Sequence, residues 1–228
     1  IKVMGILRDV TERKKAEEEI QKLSQLHYVI GRCINRSETV EQLCKSLLEN
    51  VREIVDFEYA NIFSCDEKRK ILLPVAYVGY PEEIAEKMIR EYVVDEKQGW
   101  EAVKVCLDKK ERYIRNVQRY APLSFNKELY KKYNIKELYT VPLISRGKIQ
   151  GVLQIASTPK NPLTEDKKRL LRSIAEEIAA GMAKIRAEEE MSRALKQERE
   201  FKLRTAHYFF NPICIAKGYL ELALEEEN

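Results

Sequence analysis

Thr140-Val141-Pro142-Leu143-Ile144-Ser145-Arg146-Gly147-Lys148-Ile149-Gln150-Gly151-Val152-Leu153-Gln154-Ile155 reads as two strands joined by a tight turn. Aliphatic residues fill both arms, and the turn falls at Gly147, where a residue free to take positive φ closes a hairpin. The strand character extends upstream as far as residue 59. Tyr59-Ala60-Asn61-Ile62-Phe63-Ser64 predicts a strand, Asp66-Glu67-Lys68-Arg69 a hairpin turn, and residues 71–78 its partner, ended by Gly79-Tyr80-Pro81. A short helix is predicted over 82–89, a helical turn at Gly99-Trp100-Glu101-Ala102-Val103 and a strand over 112–117. Residues 118–137, rich in Tyr and Lys, predict a loop with a short helix. The order is helix, hairpin, insert, strand, hairpin, helix. That order gives an α+β fold: an antiparallel sheet with helices on one face, flanked by long N- and C-terminal coiled-coil helices.

The flanks carry a helical period. Residues 1–10 predict a strand running into a helix, with Asp9 and Thr11 placed to cap its first turn. Ala16, Ile20, Leu23, His27, Ile30 and Ile34 then recur at heptad steps. His27 on that seam reads as a packing or dimer-interface residue. Ser37-Glu38-Thr39 breaks the pattern, and Thr39 caps a second helix bearing Leu43, Leu47, Val51, Ile54 and Val55. After Pro162, Thr164 caps a helix with Glu165 and Asp166 in its first turn. Leu170, Leu171, Ile174, Ile178, Met182 and Ile185 form its apolar stripe, which changes phase near 187–191. So thin a stripe on so long a helix predicts a parallel homodimer.

Composition bounds the function. The chain has 228 residues and a formal net charge of +4, with 41 basic and 37 acidic side chains interleaved. This gives no electrostatic case for binding nucleic acid. No apolar run reaches membrane-spanning length and no signal peptide is present. The five cysteines, 33, 44, 65, 106 and 214, stand singly, which points to a reducing cytoplasm and away from disulfide or zinc frameworks. The location expected is cytoplasmic, for a fragment of a longer protein that is itself membrane-tethered upstream or wholly soluble.

Near the C-terminus stands Thr205-Ala206-His207-Tyr208-Phe209-Phe210-Asn211-Pro212. Pro212 removes the hydrogen bond to the Tyr208 carbonyl one turn after a histidine, the side chain that is nucleophilic and neutral near pH 7. The spacing His207, Asn211, Pro212, followed by Ile215-Ala216-Lys217-Gly218-Tyr219-Leu220, resembles the phosphoacceptor box of sensor histidine kinases. The resemblance implies that His207 is the phosphoacceptor, that Asn211 supports dephosphorylation, and that Pro212 lets the helix kink. Tyr208 stands where the family carries an acid.

Two further resemblances complete the organisation. The hairpin around Val141-Pro142-Leu143 and Gly151-Val152-Leu153 resembles the GAF domain. Gly5-Ile6-Leu7-Arg8-Asp9-Val10-Thr11 resembles the closing strand of a PAS domain and its Asp-x-Thr end. The expected order is a PAS strand (1–11), a signalling helix (12–38), a GAF sensor (39–184, its first helix beginning near 22), a coiled-coil linker (185–204) and a phosphoacceptor helix (205–228).

By resemblance the chain is the sensing and transmitting segment of a two-component histidine kinase. It would act as a homodimer, with a response regulator receiver domain as partner and a possible small-molecule ligand in the GAF domain. ATP is expected for a kinase domain outside this chain, which is not catalytic alone. No cofactor or metal is expected here, and the GAF ligand stays open. Ser157-Thr158, Leu163 and Lys167-Lys168 stand where cyclic-nucleotide-binding members carry a different motif. Cys65 and Cys106 read as small buried residues, or as haem thiolates or redox sensors. Trp100 and the many tyrosines read as packing or as an aromatic pocket. The alternative is a non-catalytic GAF adaptor, or a GAF sensor feeding a different output domain.

Overall fold

A computed structural model describes residues 2–88, 92–95, 100–120 and 127–226, with side chains from residue 13 onward except 15, 87, 88, 129 and 223–226. The chain divides into two compact units, Ile1–Ile185 and Arg186–Asn228.

The first unit is built on a six-stranded antiparallel sheet of order β3-β2-β1-β6-β5-β4. Its strands are β1 (Tyr59–Asp66), β2 (Ile71–Val78), β3 (Tyr92–Val93), β4 (Arg112–Ile114), β5 (Glu137–Ser145) and β6 (Lys148–Ser157). β5 and β6 form the expected hairpin. Arg146 and Gly147 at its turn both take left-handed φ, 49° and 76°, the pattern whose twist matches that of the strands it joins. Gly151 has a different reason to be glycine: a Cβ there would lie 2.2 Å from the Phe63 carbonyl oxygen of β1. The neighbouring backbone occupies the space a side chain would need.

The helices are α1 (Lys2–Arg36), α2 (Val40–Val55), α3 (Glu82–Met88), α4 (Glu101–Asp108), α5 (Lys127–Lys132) and α6 (Glu165–Glu226). Thr39 caps α2 by accepting from the Gln42 amide at 3.2 Å, and Thr164 accepts from the Lys167 amide at 3.3 Å at the start of α6. Both caps satisfy amides that have no partner within the helix. Leu26, Ile30 and Cys33 of α1, Leu43 and Leu47 of α2, and Leu171, Ile174, Ile178 and Met182 of α6 gather over one sheet face with Leu153 and Ile155. Arg169 pairs with Glu19 at 2.7 Å and His27 with Glu177, while Ile34 lies against Gly181.

The strand expected over residues 1–10 is instead part of α1, which begins at Lys2. A strand needs a neighbour for its amides and carbonyls, whereas a helix satisfies them within itself. The PAS-like closing strand is therefore corrected to helix. β3 was not expected. The strand predicted over 112–117 stops at Ile114 and gives way to a 3-10 turn, Val117–Arg119. No helix among the described residues is long and apolar enough to cross a membrane.

Candidate functional site

In the second unit His207, Asn211 and Pro212 lie on one helix, which continues through Pro212. His207 and Asn211 are four apart, so both sit on one face, and Asn211 Nδ2–H donates to His207 Nδ1 at 3.0 Å. Both side chains are exposed. In this orientation the amide leaves the proton of the neutral ring on Nε2. Turned by half a rotation, the amide oxygen accepts from Nδ1–H and frees the Nε2 lone pair for attack. Tyr208 is 84% exposed, and Phe209, Phe210, Ile213, Tyr219 and Leu220 are also open to solvent.

A second candidate lies in the first unit, on the sheet face opposite the long helices. Strand register sets Asn61 beside Gln154, Gln154 beside Thr140, and Thr140 beside Arg112. These four residues form a polar row across β1, β6, β5 and β4, among the apolar side chains of Phe63, Val152 and Leu138. Gln154 Nε2–H donates to Thr140 Oγ1 at 3.2 Å, and the Tyr80 hydroxyl donates to Asn61 Oδ1 at 3.2 Å. Asn61 is fully buried, and its Nδ2 makes no hydrogen bond among the described residues; Asn116 Oδ1 is likewise buried and unpaired. An orphaned buried amide costs about 1–3 kcal/mol, so its retention calls for a reason beyond stability.

α4 covers this face. Its Glu101, 2% exposed, accepts from Lys104 at 3.0 Å and from the Tyr120 hydroxyl, with Arg112 Nε at 3.7 Å. Burial and then the Glu101 carboxylate push the Tyr120 phenol above its ordinary range. Trp100, at the start of α4, packs edge-on to Phe63 at 4.9 Å and against Tyr92 at 4.1 Å. Of the aromatic residues offered as packing or as a pocket, Trp100 and Tyr92 pack together with Phe63, whereas Tyr77 is exposed and Tyr139 belongs to the opposite face. The sequence reading passed over Asn61, Thr140, Gln154 and Glu101. For the first three the one visible signal is a polar residue at an inward strand position; Glu101 lies in the first turn of α4.

Each of the residues set against the cyclic-nucleotide motif has a structural part. Ser157 Oγ and the Leu163 amide donate to Glu137 at 2.9 and 2.7 Å. Thr158 donates twice to Glu58, Lys167 pairs with Asp56, and Lys168 pairs with Glu165 and lies over the Tyr113 ring. Among the described residues no three His, Cys, Asp or Glu side chains converge to hold a metal ion.

Residues 37–183 match the family model of the GAF domain. No curated protein matches the chain. Solved structures do. The GAF domain of a phosphoenolpyruvate-protein phosphotransferase from Coxiella burnetii is 18% identical, with a TM-score of 0.62, over 77% of this chain and 98% of that one. A fragment of a methyl-accepting chemotaxis protein is 18% identical, with a TM-score of 0.56, over 69% and 96%. A domain assigned to a two-component sensor histidine kinase of Sinorhizobium meliloti 1021 is 18% identical, with a TM-score of 0.52, over 68% and 99%. At these identities the likeness is one of fold.

Proposed function

The chain belongs to the GAF domain family, and from that premise we propose that it is the sensing and transmitting segment of a two-component histidine kinase, in which the GAF domain controls phosphorylation of His207. The observation that carries this reading is the pairing of His207 with Asn211 at 3.0 Å on an exposed face, directly before Pro212, in the helix that also closes the GAF core. An exposed imidazole held by a neutral amide is suited to accept a phosphoryl group on one ring nitrogen. The ATP site and the second helix of the dimerisation bundle belong to other parts of such a kinase, and the homodimer would cover the apolar residues around 208–222. A receiver domain then takes the phosphoryl group.

The signal enters, in this reading, at the face under α4. Asn61 Nδ2 would donate to an acceptor on a small polar ligand, and the Phe63–Tyr92–Trp100 cluster would supply its apolar wall. That same feature favours the second reading, a GAF sensor that binds a ligand and serves another output. The two readings diverge at His207.

The chain is fused to a histidine-kinase ATP-binding domain and incubated with γ-labelled ATP. Label that is acid-labile and alkali-stable, and lost in His207→Gln, is the expected result. Tyr208→Glu restores a carboxylate beside the imidazole at a position where the side chain is free of packing, and should raise the initial rate several-fold. Undiminished label in His207→Gln, or none in the unmodified chain, would leave only the second reading.

A further inference from the structure

Cys65 of β1 and Cys106 of α4 are 41 positions apart in the chain, yet their sulfur atoms are 3.1 Å apart. Each is 6% exposed, and both belong to the cluster between the sheet and α4. A disulfide needs its sulfurs at about 2.05 Å, so closure asks for about 1 Å of movement, within reach of small side-chain rotations. The other thiols have different surroundings: Cys33 lies against Ser46 Oγ at 3.2 Å, and Cys214 is exposed on the second unit.

We propose that Cys65 and Cys106 form a reversible crosslink that staples α4 to the sheet when the protein meets a peroxide. One thiol takes an oxygen from hydrogen peroxide, becoming a sulfenic acid and releasing water. The second sulfur attacks the first, the S–O bond breaks, and a second water leaves with the remaining thiol proton. The peroxide accepts two electrons, and the two thiols supply them. The neighbouring Cys65 sulfur, with burial, holds the Cys106 thiol well above the ordinary range. Little thiolate therefore exists while α4 is seated, and the reaction waits for α4 to loosen. The crosslink is a slow record of oxidant exposure.

Its consequence follows from what α4 carries. Asn61, Phe63 and Cys65 share the inward face of β1, and Glu101 lies on the same short helix as Cys106. Tying α4 down fixes Glu101 and Trp100 over the polar row and closes the layer that must move for anything to reach it.

The test uses the full chain with Cys214→Ser, which removes the exposed thiol. The protein is treated with hydrogen peroxide, denatured, alkylated and mapped by mass spectrometry. The expected product has lost two hydrogens, leaves two of its four thiols unalkylated, and yields one peptide joining Cys65 to Cys106 that dithiothreitol separates. In Cys106→Ala the crosslink is absent and Cys65 carries oxygen instead. The crosslinked form should also melt at a higher temperature than the reduced one. Four alkylated thiols under conditions that oxidise a free-thiol control, a crosslink between other cysteines, or sulfinic and sulfonic acids without a crosslink would each overturn the proposal.

Discussion

The two faces of the sheet are built from different materials. Under α1, α2 and α6 the layer is aliphatic: Leu43, Leu47, Leu153, Ile155, Leu171 and Ile174, closely packed. Under α4 the layer mixes aromatic rings, two thiols in contact, a buried carboxylate and a row of amides and hydroxyls. The first face is covered by helices of 16 residues or more, the second by helices of eight or fewer. Long helices bury more surface and open less readily; short ones open locally at small cost. The domain thus packs an aliphatic layer on one side and, on the other, the polar and thiol groups that the proposed ligand site and crosslink would use.

The sharpest challenge to that division is a cavity in the aliphatic face. Leu171 is fully buried there, and Leu171→Ala should cost about 2–5 kcal/mol in denaturant unfolding. A loss below about 1 kcal/mol, well under that range, would mean this face is not where stability resides. On the other face Asn61→Leu removes one hydrogen bond, from Tyr80, but also the orphaned amide. Its stability should stay within about 1 kcal/mol of the unmodified protein. If instead it costs as much as Leu171→Ala, the polar row is a structural element and its reading as a ligand site fails.

The smallest effect is expected at the margin of the sheet. Glu137 accepts from Tyr113, Ser157 and the Leu163 amide. Burial alone would raise its carboxyl, but these donors, with Lys168 nearby, outweigh it and hold the group below its ordinary value of 4.5. They also leave the Tyr113 phenol pushed up to about 12, by burial first and Glu137 second. A carboxyl depressed by folding contributes stability above its unfolded pKa and loses it as pH falls through the lower folded value. Urea midpoints at pH 7 and pH 3.5 should therefore fall further for the unmodified protein than for Glu137→Gln. Equal falls would show that the carboxylate contributes nothing measurable.

Much of the aliphatic face was legible in the sequence, because it is written in local periods. Leu43 and Leu47, or Leu170, Leu171, Ile174 and Ile178, repeat at helical spacing, and Thr39 and Thr164 announce their helices. The hairpin at Gly147 is equally local. Gly151 stood out in the sequence, but its reason lies 88 positions away, in the Phe63 carbonyl. The other face is made almost wholly of such distant meetings. Asn61 meets Gln154 across 93 positions through strand register, and Cys65 meets Cys106 across 41. No window along the chain contains either member's partner. Residues 1–10 show the opposite limit: a short apolar run serves strand or helix, and only the surroundings decide.

The pairing of α1 with α6 has a mechanical meaning. Glu19 meets Arg169 across 150 positions, and His27 meets Glu177 across the same interval, so the two helices run parallel in fixed register. These contacts are spaced about 12 Å along the axes, at about 1.5 Å per residue. Exposed ion pairs hold little by themselves. The thread is cut at Gly181, where an added methyl carbon would sit 2.7 Å from Ile34. A slide of α1 along α6 to the next matching position would take a full turn, about 5.4 Å. In the proposed signalling, a rotation of α1 against α6 would keep these contacts within reach where a slide would break them.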